Sequence, residues 1–390
     1  VEVGGRLQRE LQYTAETLGG GEGTTNQIII QTPKVDGANI LTQEALANHL
    51  HSALQAINVE IDMFGIQWDI EDICYKPPMP SFEAGIIDSM LENLVPCVII
   101  TPLDCFWEGA KLLGPKTPVF LPTDAIYRQL KWTNLDPLEI IESLKEEINY
   151  FGDADALISI LESAGVSHGY QDKPCLNPQD PECPDMAPNK HTGQVPNIGA
   201  ELTGGCTGFA SKYMAWPEDL IVGGVKKNQS GHILSGEAFQ SIIQLKGETE
   251  MYESWRSHYK VNNIDWTADK AKAILEEWQR KFTEVLLSTN NSSATHEIHG
   301  FTETAFNDLL DQFSQTSVTR VVAGYVMMLI YACITMMKFC DGVQSQGGVG
   351  LGGVLLVATS VVAGLSVCAM LGIQFNASTT QVLPFPSTGN

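Results

Sequence analysis

The stretch from Val349 to Ile373 reads VGLGGVLLVATSVVAGLSVCAMLGI and carries no charge. Shortly before it, Val321 to Met337 reads VVAGYVMMLIYACITMM, also uncharged. A helix rises about 1.5 Å per residue and the hydrocarbon slab of a bilayer is roughly 30 Å thick. The second stretch is long enough to cross with tilt. The first lies near the short limit and needs Val318 and Thr319, or local thinning, to fill the gap. Globular helices of this length keep a polar face, and neither stretch has one. The expectation is a two-helix membrane hairpin, with spans at 319–338 and 349–373, a cytoplasmic turn at 339–348 and an outer tail at 374–390. Residues 1–318 then form one large domain on the same side as the tail.

The net charge of the chain is −23. From Thr319 onward the only charges are Arg320, Lys338 and Asp341, so the preceding residues carry −24. An acidic domain of this kind is a poor ligand for nucleic acid or anionic lipid, whose phosphates need basic patches. It suits a basic or calcium-bridged protein partner. Residue 1 is Val and no leader precedes the first polar residues, so the chain reads as a fragment or a processed piece.

Of nine cysteines, six precede the hairpin: Cys74, Cys97, Cys105, Cys175, Cys183 and Cys206. An even number in a polar domain points to three disulfides and an oxidising compartment. Connectivity stays open; Cys97 with Cys105, and Cys175 with Cys183, would each close a short loop. Glycosylation triplets begin at Asn228, Asn290 and Asn291, all in the large domain. Cysteines and sequons together place that domain outside. Charge does not help, because Arg320 and Lys338 cancel across the first span.

Along the chain, Leu7, Leu11 and Leu18 give an amphipathic start, followed by a Gly/Thr linker at Gly19 to Thr25. Ile28 to Gln31 reads as a strand stopped by Pro33. Thr42 caps a helix bearing Leu46, Leu50, Ala53, Leu54 and Ile57. Val59 to Phe64 reads as the next strand, and strand–helix–strand is the unit of a two-layer sandwich. Val95 to Thr101 is a buried strand. Asp136 caps a helix from Pro137 that carries Ile141, Leu144 and Ile148 on one face. Residues 165–207 form a Pro-, Gly- and Asp-rich stapled segment. Asp219 to Val225 is strand-like, and Ser235 is expected to cap a helix bearing Phe239, Ile242 and Ile243. Thr267 opens the longest helix of the domain, with Ala271, Ile274, Trp278 and Phe282 on one stripe. A strand is expected near His296 to Gly300. Phe306, Leu309, Leu310 and Phe313 lead into the first span.

Candidate chemistry is thin. Gly204-Gly205-Cys206-Thr207-Gly208 has the shape of a nucleophile elbow, but an oxidised Cys206 in a Gly-rich turn is the simpler reading. His49-x-His51 and His296-x-x-His299 lack the spacing that puts two imidazoles on one helix face. Asp172, Asp180, Glu182 and Asp185 supply oxygens suited to calcium, without a dedicated calcium loop. No catalytic or metal residue is assigned, and the protein is not expected to be an enzyme. Gly348, Gly352, Ser360 and Gly364 allow close helix approach, so the hairpin is expected to pack against further helices.

Five stretches resemble the Patched family of Hedgehog receptors: Thr101 to Lys111 (TPLDCFWEGAK), His168 to Pro184 (HGYQDKPCLNPQDPECP), Tyr213 to Val225 (YMAWPEDLIVGGV), Ala273 to Phe282 (AILEEWQRKF), and the run from Ser345 to Phe385. They are collinear and extend the resemblance over almost the whole chain. The resemblance implies that residues 1–318 are an extracellular α+β domain, a ferredoxin-like sandwich with helical and disulfide-stapled insertions. The hairpin would be the start of a sterol-sensing domain, all α, in a multi-pass plasma-membrane protein. It further implies a lipid-modified Hedgehog ligand outside, possible calcium at that interface, sterol as the transported ligand, and indirect regulation of Smoothened. Phe106, Trp107 and Tyr325 are the residues expected to touch lipid if the chain belongs to a lipid transporter. A truncated decoy receptor, or a non-signalling lipid transporter, is the alternative. The span that carries the family's paired acidic residues is not in this sequence.

Overall fold

The computed structural model describes residues 24–77, 95–114, 119–120, 129–143, 154–290, 295–314 and 347–370, with isolated positions at 10, 13 and between 323 and 335. The chain divides into two compact units, residues 22–306 and residues 1–21 with 307–390.

The larger unit mixes α and β structure. Its main sheet holds β1 (Thr24–Pro33), β2 (Ile99–Ile100), β3 (Ala238–Lys246) and β4 (His296–Phe301). Their spatial order is β4-β1-β3-β2, and every neighbouring pair is antiparallel. A two-residue strand, Val222–Gly223, also pairs with β3. Helix α1 (Gln43–Ile57) follows β1, and α2 (Ala268–Asn290) lies between β3 and β4. Consecutive strands β1 and β2 therefore flank β3, and β3 and β4 flank β1. This interleaving forces long-range pairing: Thr24 faces Lys246 and Gln31 faces Phe239.

Period-two burial explains the strands. In β1, Gln27, Ile29 and Gln31 are buried while Ile28 and Ile30 are only half-buried. In β3, Phe239, Ser241, Ile243 and Leu245 face the core. Each helix buries one stripe against that face. On α2 these are Ala271, Ile274, Trp278, Phe282 and Leu286, all fully buried. Thr42 caps α1, its side chain accepting the Ala45 N–H at 3.1 Å.

Several expectations are corrected. Ser235 does not cap a helix; Phe239, Ile242 and Ile243 lie on β3, because the alternation 239, 241, 243, 245 outweighs the 3–4 spacing. The strand after α1 is shorter than Val59 to Phe64 and leaves the main sheet: Ile61–Met63 pairs with Ile66–Trp68 in a hairpin. The true partner strand of the strand–helix–strand unit is β2, to which Val95 to Thr101 contributes only Ile99 and Ile100. Asp219 to Val225 opens as a helical turn, Glu218–Ile221, before Val222–Gly223 extends. The linker reading of Gly19 to Thr25 gives way at Thr24, where β1 begins. Helix Pro137–Ser143 forms at its expected start; Leu144 and Ile148 lie outside the described residues.

In the smaller unit α4 spans Gly347–Met370; in the sequence it comes after α3 (Glu303–Ser314). Among the described residues no helix is long and apolar enough to cross a membrane. Side chains at several α4 positions are outside the described set, as is most of Val321 to Met337. A Cβ added at Gly348, Gly352, Gly353 or Gly364 meets no atom within 4 Å.

Candidate functional site: the stapled lobe

Between β2 and Val222–Gly223 the described residues leave the main sheet and build a lobe. The departure is set at Thr101, whose hydroxyl accepts the Leu103 N–H at 3.3 Å and starts the 3-10 turn Pro102–Cys105. A second turn, Trp107–Leu112, follows directly. Tight turns fan successive side chains outward. Phe106 enters the sandwich core and Trp107 a separate lobe core with Leu130, Trp132 and Tyr170.

The six cysteines are paired. Cys74 bonds Cys97, Cys105 bonds Cys206 and Cys175 bonds Cys183, with sequence separations of 23, 101 and 8. The short-loop option joining Cys97 to Cys105 is thus not used, because the turn at Pro102 carries Cys105 away from the sheet. Cys206 is held in that bond and is no free nucleophile. Its turn needs glycine: Gly205 has φ +95°, and a Cβ there would sit 2.0 Å from the Trp216 carbonyl oxygen.

Around the long disulfide lies a buried polar knot. Asp104, 2 % exposed, accepts from the Tyr170 hydroxyl at 2.7 Å and from Trp216 Nε1 at 2.8 Å. Lys173 Nζ donates to the carbonyls of Asp104 at 2.6 Å and Thr207 at 2.5 Å, the residues beside the two half-cystines. The same ammonium lies 3.9 Å from the centre of the Tyr170 ring. Burial pushes Lys173 down to about 8, with Asp104 pulling the other way. Burial likewise raises Asp104, opposed by Lys173. Glu108 reaches the other staple, accepting Leu176 N–H at 2.9 Å and Asn177 N–H at 3.2 Å. Asn189 holds Cys175 by both backbone groups, at 2.9 and 2.7 Å. Here charged side chains satisfy irregular backbone that no ladder could serve.

The predicted site residues distribute as follows. Phe106 and Trp107 are fully buried, and Trp107 Nε1 donates to the Thr133 carbonyl at 3.1 Å. Tyr325 and Asn291 lie outside the described residues, as does the side chain of Asn290 at the end of α2. Asn228 is exposed at the tip of the hairpin Lys226–Lys227/Ile233–Ser235; its Oδ1 accepts Ser230 N–H at 2.9 Å and His232 N–H at 2.8 Å. Asp180 is occupied by Lys111 at 3.1 Å and by the Glu182 N–H at 3.0 Å. Among the described residues no group of three or more His, Cys, Asp and Glu is placed to hold a metal ion. His49 is buried and engaged through both ring nitrogens, with Gln31 Oε1 at 3.1 Å and Ser241 Oγ at 2.7 Å. Sequence reasoning missed Asp104, Lys173 and Tyr170. All three sit in stretches already notable for their motifs, but the pairing of Asp104 with Tyr170 and Lys173 spans 66 and 69 positions and has no periodic signature.

The lobe is also where likeness to known proteins can be judged. One family model, described as the Transformer protein 2 N-terminal domain, matches residues 17–176. Another, the sterol-sensing domain of SREBP cleavage-activation, matches residues 342–386. Protein patched homolog 1 of the newt Cynops pyrrhogaster is 48% identical over 245 residues, 63% of this chain and 94% of that protein. The chain belongs to the Patched family. Protein patched homolog 2 of mouse is 46% identical over 389 residues, which is 100% of this chain and 32% of the relative. Protein patched of Drosophila melanogaster is 43% identical over 400 residues, covering 100% and 31%. The chain thus spans about a third of the length of these two Patched relatives. The staples, the polar knot and the sterol-sensing segment all fall inside the matched region.

Proposed function

We propose that this chain is the first ligand-binding ectodomain of a Patched-type receptor, carried on part of its sterol-sensing domain. The observation that carries the reading is one collinear match that joins a disulfide-stapled acidic lobe to a sterol-sensing segment. The lobe is a fixed surface rather than a reaction centre, since its strongest polar groups serve its own backbone. The sandwich, with strand order β4-β1-β3-β2 and two helices, is read as ferredoxin-like. Its partner outside the cell would be a lipid-modified Hedgehog ligand, with calcium bridging two acidic or mixed surfaces. In the whole protein, sterol movement would keep Smoothened off.

The membrane reading rests on α4. Its sequence is uncharged and falls inside the match to the sterol-sensing domain model at residues 342–386; the reading stands on that, since among the described residues no helix is long and apolar enough to cross a membrane. Small residues at Gly348, Gly352, Ser360 and Gly364 would let further spans pack closely against it. The domain boundary at 318, the hairpin turn and the outer placement of the lobe belong to the same proposal, as does sugar on Asn228, Asn290 and Asn291. Lipid contact at Phe106 and Trp107 would require the lobe to open, because both rings are sealed. Photo-crosslinking sterol that labels them, or Tyr325, would favour the lipid-transport alternative.

The test is binding of the N-terminal signalling part of Hedgehog by the full chain displayed on cells, with calcium and without reductant. Saturable binding at micromolar concentration or below is expected, lost on reduction of the disulfides. No binding at tens of micromolar would remove the receptor reading and leave the transporter alternative.

A further inference from the structure

Two segments of the stapled lobe, 129–143 and 165–190, meet at a charged contact. Helix Pro137–Ser143 begins at Asp136, whose Oδ1 accepts the Glu139 N–H at 3.1 Å and whose carbonyl accepts the Ile140 N–H at 3.1 Å. Its other carboxylate oxygen, Oδ2, is 2.7 Å from His168 Nδ1. The Asp136 side chain is 9% exposed and that of His168 40%, so the bond sits at the lobe surface, reachable by solvent protons.

The backbone aims His168 at that oxygen. Gly169 follows at φ +64°, and a Cβ there would come 3.2 Å from the Leu135 carbonyl oxygen. The two segments approach this closely only because residue 169 has no side chain. Around the bond the remaining joints are neutral: Gln171 Nε2 donates to the Thr133 carbonyl at 3.2 Å, and Trp132 packs edge-on to Tyr170.

We propose that His168 and Asp136 form an acid-tightened clasp, which sets how firmly residues 129–143 are held against the stapled segment. The charged groups facing the imidazole are Asp136 and Glu139 on the helix side and Asp172 on its own segment, all acidic. The hydrogen bond to Asp136 raises His168 above its ordinary value, and the three carboxylates add to this, against a lowering by burial. A base whose folded value is raised contributes fully below its unfolded value, near 6.5, and loses that contribution as pH rises through the folded one. The clasp is therefore firm in mildly acidic surroundings and slackens as pH rises through the raised His168 value, whatever the lobe binds.

Hydrogen exchange on the full chain, corrected for intrinsic rates, tests this between about pH 5.5 and 8.5, a window that brackets the ordinary histidine value. The amides of residues 137–143 should be protected severalfold more at the acid end. His168→Gln should abolish that dependence. Asp136→Asn, which keeps an oxygen for the helix cap, should bring the His168 titration midpoint back toward its ordinary value. Flat protection in the unmodified chain, or an unchanged slope in His168→Gln, would overturn the clasp. If neither variant folds, the His168 midpoint read by NMR in the unmodified chain decides: above about 6.5 supports it, at or below overturns it.

Discussion

In the sandwich, the Gln31, His49, Ser241 and Thr101 side chains pass neutral hydrogen bonds through an apolar core. In the stapled lobe, Lys173 and Glu108 bring charge to the backbone beside two disulfides, and the Asp104 carboxylate accepts from the Tyr170 and Trp216 side chains. The sandwich has ladders and helices to pair its peptide groups, so its side chains are free to be apolar. The lobe has few such ladders, so side chains and sulfur do that work instead. Burial stabilises the first; covalent closure and charge-assisted hydrogen bonds stabilise the second. The two regions should therefore fail under different conditions.

The largest expected effect separates them by packing. Trp278 is fully buried on α2 and its Nε1 donates to the Val59 carbonyl at 3.1 Å. Trp278→Ala should cost the sandwich about 3–5 kcal/mol, read as a fall in the denaturant midpoint, while the three disulfides remain formed. A loss confined to the lobe would break the contrast.

Sulfur comes next. Cys105 and Cys206 close the longest loop, with a separation of 101 residues. Replacing both by Ser should cost about 2–5 kcal/mol. Exchange should rise first in residues 101–114 and 165–216, with β1 and β3 still protected. Equal loosening of β1 would show that lobe and sandwich unfold as one.

The smallest effect is in pH. Burial holds His49 down at about 4, against an ordinary value of 6.5. A base lowered in this way contributes stability above its unfolded value and loses it as pH falls from about 6.5 toward 4. Sandwich stability should fall on acidification, and His49→Gln should flatten that slope in a melting series. The predicted trend is opposite to that of the His168 clasp. A shared acid response in both regions would erase the distinction.

Much of the sandwich was legible in local pattern. Thr42 announces α1, the stripe from Ala271 to Phe282 announces α2, and the isoleucine run marks β1. Where two periods compete, local pattern misleads. Phe239, Ile242 and Ile243 fit a helix until Ser241 is known to face His49, 192 positions away. The lobe was legible as a disulfide framework and the short loop Cys175–Cys183 as one option within it, but the pairing of Cys105 with Cys206 was not, since spacing along the chain says little about distance once a turn at Pro102 redirects it.

What the residues determined unaided was chemistry and membership: an even set of half-cystines, an acidic balance, uncharged terminal stretches, and motifs placing the chain among Patched proteins. Those are properties of composition and order, which survive unfolding. Which cysteine meets which, which strand lies between which, and that Lys173 guards both ends of one disulfide were settled only in three dimensions. Each depends on contacts between residues far apart in sequence, and the free energy of such contacts exists only once the intervening chain has folded.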